Sequence, residues 1–142
     1  MVKQLSVFLE NTKGRLADMT GVLRDAKINL LALSIADTTN FGILRAIVSD
    51  DDTALQVLHD AGYTVHMNEV IAAEVPDKTG GLADILAALV QGDVSVEYLY
   101  SFVNAPGEHA LILFKVDNVE AAKKIFEDNN IKLLNKAELV EL

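Results

Sequence analysis

Glu10-Asn11-Thr12-Lys13-Gly14-Arg15-Leu16-Ala17-Asp18 returns sixty-six residues further on as Pro76-Asp77-Lys78-Thr79-Gly80-Gly81-Leu82-Ala83-Asp84. With the central glycines aligned, Gly14, Leu16, Ala17, Asp18, Leu23 and Leu33 meet identical residues at Gly80, Leu82, Ala83, Asp84, Leu89 and Leu99. Around them Asn11 faces Asp77, Ile28 faces Val94 and Leu30 faces Val96. A fixed offset in a chain of 142 residues means two copies of one unit. In each copy an apolar run enters a polar, glycine-containing turn and leaves as a helix. That turn is where function is sought.

Outward from the first turn, Gln4 to Leu9 alternates, with Leu5, Val7 and Leu9 on one side, and reads as a half-buried strand. Asn11 or Thr12 is positioned to cap the following helix. Leu16, Met19, Val22, Leu23 and Ala26 then fall at helical spacing on one face. A strand over 28–36, a turn cluster over 37–42 and a strand over 43–49 follow. Asp50-Asp51-Asp52-Thr53 places carboxylates at the positive end of a second helix, which carries Ala54, Leu55, Leu58 and Ala61 and stops at Gly62. A strand over 63–70 closes the first copy, giving the order βαββαβ.

The second copy repeats it. Its strands run over 70–75, 94–103, 109–116 and from Ile131, with a turn at Asn104-Ala105-Pro106-Gly107. Leu82, Ile85, Leu86 and Leu89 line its first helix; Asp117-Asn118 caps the second, which carries Ala121, Ala122, Ile125 and Phe126. Past the hairpin the register slips by one, so that Leu44, Asp50 and Ala54 match Leu111, Asp117 and Ala121. The expected units are 1–69 and 70–142, with no Pro-, Gly- or Ser-rich linker between them. Two βαβ crossovers in one antiparallel sheet make a ferredoxin-like α+β unit, with both helices on one sheet face.

Composition narrows the functions such a fold hosts. The chain is 51% hydrophobic with a net charge of −9, so it is globular and repels phosphate backbones and anionic membranes. Nucleic acid and membrane are therefore not expected partners. Cysteine is absent, which removes disulfides, thiolate catalysis and cysteine-held metals. His59, His66 and His109 lack metal-ligand spacing, and no Ser-His-Asp set or facing carboxylate pair suggests catalysis. No signal peptide opens the chain and no apolar run reaches 18 residues, so a cytoplasmic location is expected.

The two turns and the stretches that follow them resemble the ACT domain, a small regulatory module that binds amino acids. That family reads Asn/Asp-x-Pro-Gly-x-Leu after its first strand and Gly-(Val/Ile)-Asn-(Ile/Val) at its second. This chain has Asn11-Thr12-Lys13-Gly14-Arg15-Leu16 with Lys27-Ile28-Asn29-Leu30, and Asp77-Lys78-Thr79-Gly80-Gly81-Leu82 with Asp93-Val94-Ser95-Val96. Both copies replace the proline, by Lys13 and Thr79. The resemblance covers nearly the whole chain and implies two ACT domains packed as an intramolecular pseudo-dimer that dimerises again.

By resemblance to the serine-sensing domains of phosphoglycerate dehydrogenase, the ligand-holding positions fall on Asn11 and Asn29, and on Asp77 and Ser95. The family places such sites between units lying edge to edge, where Tyr98 and Tyr100 are candidate walls. The physics agrees: an amino acid's carboxylate suits the N–H groups at a helix start, and its ammonium suits an amide oxygen or Asp77. Thr12, Lys13, Gly14, Arg15 and Leu16, with Lys78, Thr79, Gly80, Gly81 and Leu82, complete the candidate contacts. Asp18 and Asp84 suit a first helical turn through the dipole alone.

The expected function is a non-catalytic sensor of a free amino acid, with no cofactor and no metal, acting on a separate regulated enzyme. Two alternatives stay open. One is an adaptor that binds a partner protein without a small molecule; the other is a small enzyme on a ferredoxin-like fold.

Overall fold

The computed structural model describes residues 1–37, 40–102 and 109–142. The chain divides into two compact units, one of Lys3–Asn68 and one of Met1–Val2 with Glu69–Leu142. They are called the N-terminal and C-terminal units below.

In the N-terminal unit the order is β1 (Val2–Glu10), α1 (Arg15–Asp25), β2 (Leu30–Asp37), β3 (Phe41–Val48), α2 (Asp51–Asp60) and the opening of β4 (Thr64–Pro76). β3 lies antiparallel between β1 and β2, with Leu5 opposite Ala46 and Leu33 opposite the same residue. β4 borders β1 on its other side, where Ser6 Oγ donates to Asn68 Oδ1 at 2.6 Å. The core is built as the alternation predicts: Leu5, Val7 and Leu9 meet Met19 and Leu23 of α1 and Ala54 and Leu58 of α2. Burying a leucine fully contributes about 1.5–3 kcal/mol.

The C-terminal unit runs through the rest of β4, α3 (Gly81–Gln91), β5 (Val96–Ser101), β6 (His109–Val116), α4 (Val119–Asp128), β7 (Lys132–Leu134) and α5 (Lys136–Val140). Its strand order is β5-β6-β4-β7, with all pairs antiparallel. Ile71, Ala73 and Val75 pack on Ile85, Leu89, Ala122 and Phe126. Phe114 and Phe126 face each other at 5.2 Å between ring centres.

All four long helices end alike. Lys27, Gly62, Asp93 and Asn130 take a left-handed conformation, at φ 60°, 91°, 59° and 57°. In each case the next residue's N–H reaches back five positions: Ile28 to Leu23, Tyr63 to Leu58, Val94 to Leu89 and Ile131 to Phe126. This is the Schellman termination, and its apolar pair is what sends the chain from helix to sheet. Three of the four left-handed positions carry a side chain.

The structure changes several sequence expectations. The strands predicted over 63–70 and 70–75 are one strand, β4, because no glycine or proline interrupts 64–75. Phe41 and Gly42, predicted in a turn, begin β3. β2 and β5 start two residues late, after the Schellman residues have passed. The turn expected at 37–42 lies partly, and that at 104–107 wholly, outside the described residues.

The register slip past the hairpin is two residues and not one. Asp50 and Asn118 are the equivalent helix caps, and Leu5–Ala46 corresponds to Ile71–Phe114. α5 has no counterpart among the expected elements, although Asn135 and Glu138 form the reciprocal capping box that begins it. On the sheet face away from the helices, Gln4, Ser6, Ala32 and Ile47 are buried in the N-terminal unit, and Leu111 and Leu113 in the C-terminal unit.

Lys27→Gly removes a side chain from a left-handed position and is expected to stabilise the protein by about 0.5–1 kcal/mol. Gly62→Ala is expected to do the reverse; urea unfolding of the two variants measures both. At α2, Thr53 donates its hydroxyl and its N–H to the Asp50 carboxylate, which holds Asp50 below its ordinary value of 3.8. A lowered carboxylate stabilises the fold above its ordinary value and stops doing so as pH falls through the lowered one. Melting temperatures recorded downward from pH 5 are expected to show Asp50→Asn losing less than the parent protein.

Candidate functional site

At both strand-to-helix turns the chain reverses within four residues, on a left-handed glycine. Gly14 has φ 88° and Gly80 φ 84°. In the first turn Thr12 N–H donates to Glu10 O at 2.8 Å, Arg15 N–H to Thr12 O, and Asp18 N–H to Gly14 O. In the second, Lys78 N–H donates to Pro76 O, Gly81 N–H to Lys78 O, and Asp84 N–H to Gly80 O. The glycine itself is the helix cap in both, and no side chain caps either helix. Asn11 and Thr12, expected as caps, do not fill that role, because a glycine N-cap supplies no acceptor. The first N–H groups of α1 and α3 thus lack an acceptor from a capping side chain.

The family follows from this repeated geometry together with sequence. The profile of the ACT domain pair matches residues 1–142. This chain belongs to the ACT domain pair family. A crystal structure of a protein from Bacteroides thetaiotaomicron is 38% identical, covers 99% of this chain and 96% of its own, and superposes with a TM-score of 0.92. The ligand-free regulatory subunit of aspartate kinase from Thermus thermophilus is 14% identical, with 89% and 91% covered and a TM-score of 0.66. The Thermus flavus subunit is 13% identical, with 89% and 90% covered and a TM-score of 0.63. These last two show the shared fold. No curated protein matches the chain.

Within this ACT pair the expected ligand residues separate into groups. Asn11, Thr12, Lys13 and Gly14 are exposed at the first turn, where Asn11 N–H donates to Asn40 O. Leu16, expected on the buried face of α1, is 41% exposed. Asp77, Lys78, Thr79 and Gly80 are exposed at the second turn, while Gly81 is buried and Leu82 half-buried. Asp77 and Lys78 share an open hollow of about 360 Å³ with Pro76 and His109, a histidine without metal-ligand spacing in the sequence. His109 arrives there as the antiparallel partner of Pro76.

Asn29 and Ser95 lie at the far ends of α1 and α3. An eleven-residue helix is about 16 Å long, so within a unit Asn29 does not join Asn11, nor Ser95 join Asp77. Each braces the start of a strand instead. Asn29 N–H donates to Ser49 Oγ and Ser49 N–H to Asn29 O. Ser95 N–H donates to Asp117 Oδ1 and Asp117 N–H to Ser95 O. Tyr98 is half-buried and Tyr100 buried, on the face of β5 away from α3 and α4.

Arg15 and Gly81 occupy the same place in the repeat and behave oppositely. The Arg15 guanidinium lies 4.5 Å over the Tyr63 ring, a cation–π contact. Its Nε is buried without a hydrogen-bond partner. At Gly81 a β-carbon would overlap the Pro76 carbonyl oxygen. A second hollow of about 160 Å³ opens behind the turn, lined by Pro76, Lys78, Gly81, Asp84, Ile85, Asn129 and Ile131. Asn129 and Ile131 were not foreseen, because they sit at the end of α4, distant in sequence from the turn. Among the described residues no cluster of three His, Asp or Glu suits a metal ion. No helix there is long and apolar enough to cross a membrane.

Gly81→Ala is expected to destabilise the protein by about 1–3 kcal/mol, because the clash is with backbone and not with a movable side chain. Arg15→Ala, where the turn already accepts a side chain, is expected to cost less than about 1 kcal/mol. Denaturant midpoints compare the two.

Proposed function

We propose that this ACT pair binds a free amino acid at its strand-to-helix turns and acts as a regulatory sensor without chemistry of its own. The observation that carries the reading is the left-handed glycine cap at both turns, Gly14 and Gly80, which leaves two helix starts without a side-chain cap. Such a start accepts a carboxylate. The amide of Asn11 and the carboxylate of Asp77, both exposed beside it, suit an ammonium group. The regulatory character of the Thermus aspartate kinase subunits is in keeping with this reading.

The reading extends to a cytoplasmic homodimer and to a regulated target on another chain. Binding passes a signal only where two states of the assembly differ in affinity for the ligand. A second reading, a partner-binding adaptor, is favoured by one observation: Leu33, Ile35 and Phe41 are 40%, 45% and 53% exposed.

A thermal-shift screen against the twenty amino acids decides between them. A ligand at about 100 times its dissociation constant adds about 2.7 kcal/mol, a rise of several degrees in a domain of this size. The sensor reading expects such a rise with one amino acid or a few related ones, and Asn11→Ala and Asp77→Ala report which turn holds it. A flat screen on protein shown to be free of carried-over ligand sinks the sensor and leaves the adaptor.

A further inference from the structure

The face of the N-terminal sheet turned away from α1 and α2 changes character along its strands. At one end Gln4, Ala32 and Ile47 are buried. A polar row crosses the sheet next. In it Gln4 Nε2 donates to Ser6 Oγ and Ser6 Oγ donates to Asn68 Oδ1, while Arg45 and Ser34 continue the row on β3 and β2. Beyond that row the side chains turn apolar and emerge into solvent. Phe8 pairs with Ile43, Ile43 with Ala36, and Glu10 with Phe41. Phe8 and Phe41 are 39% and 53% exposed, and the His66 ring of β4 meets Phe8 edge-on at 5.6 Å. An apolar island between a polar row and Glu10 has the anatomy of an interface, a hydrophobic centre within a polar rim.

Charge decides what covers it. The chain carries −9 overall, so two copies repel each other. That charge is unevenly shared: residues 3–68 hold six basic and eight acidic side chains, and the rest of the chain holds six and thirteen. Copies therefore approach most easily through their N-terminal units. Phe8, Ala36, Phe41 and Ile43 add no charge to oppose that contact, and they offer a foreign partner of either sign nothing to select it. An uncharged apolar face is complementary to itself, which a two-fold contact requires. The neighbouring edge suits the contact less well, because the register of β2 shifts between Leu30 and Ala32, an irregularity of the kind that blunts an edge.

We propose that two copies of this chain dock through Phe8, Ala36, Phe41 and Ile43, sheet face against sheet face about a two-fold axis. This deepens the homodimer reading above by naming the face that makes it. The same patch is used on both copies, so assembly stops at two.

Sedimentation of the full chain over a range of concentrations tests it. A monomer–dimer equilibrium with no larger species is expected. Phe8→Ser, Phe41→Ser and Ala36→Arg are each expected to weaken the dimer at least tenfold. Val90→Ser, on the exposed side of α3, is expected to leave it unchanged. Far-ultraviolet spectra matching the parent's are the control for folding, and the exposed Ala36 keeps the test open should a phenylalanine variant unfold. Raising salt from about 0.05 M to about 0.5 M is expected to tighten the dimer, since it screens the repulsion between like-charged copies. Three results overturn this inference while the homodimer stands: a dimer kept in all three variants, a dimer that salt weakens, and one lost in Leu33→Lys but kept in Phe8→Ser. A species larger than two overturns it too. A chain that stays monomeric at every concentration removes the homodimer reading and this inference together, and the thermal-shift screen decides the sensor reading separately.

Discussion

The backbone of each unit depends on two kinds of left-handed residue, one before its first helix and one after each of its long helices. Gly14 and Gly80 allow the chain to leave the sheet and start a helix within four residues. Lys27, Gly62, Asp93 and Asn130 let it return, each followed by an apolar residue anchored on the helix just completed. Right-handed residues at those places would carry the helix onward, away from the sheet it must cover. The core pattern fills a frame that these turns define.

Most of that frame was legible in the sequence because it is written twice. Alternation in Leu5, Val7 and Leu9 and helical spacing in Met19 and Leu23 each carry little weight alone. Their recurrence at Ile71, Ala73 and Val75, and at Ile85 and Leu89, makes the βαββαβ order secure. What escaped the sequence has a physical cause in each instance. Identity across the hairpin is too sparse to distinguish a slip of one residue from two, whereas strand pairing fixes it. Leu16 has the spacing of a core residue and is exposed, because spacing fixes the face of a helix and not which of its turns lies over the core.

The candidate site was legible only in part. The two turns could be found, since glycine in a repeated polar stretch is informative. The separation of Asn11 from Asn29 was also implicit, because a helix stands between them. Asn129 and Ile131 could not be foreseen, as only the return of α4 beside α3 brings them to the turn. The opposite behaviour of Arg15 and Gly81 is likewise a property of packing: the sequence shows that they differ, and the Tyr63 ring shows why it matters.

The two cores also differ in how they divide their volume. Where the core of the N-terminal unit holds Ala46 and Leu58, that of the C-terminal unit holds Phe114 against Phe126. A tandem repeat risks assembling with a helix of one copy on the sheet of the other. Here α4 laid on the first sheet would bring a ring where a leucine belongs, and α2 laid on the second would leave a void beside Phe114. Either error forfeits packing energy, through overfilling in one direction and a cavity in the other. The unequal aromatic content of the two halves thus gives each helix one sheet on which its side chains fit.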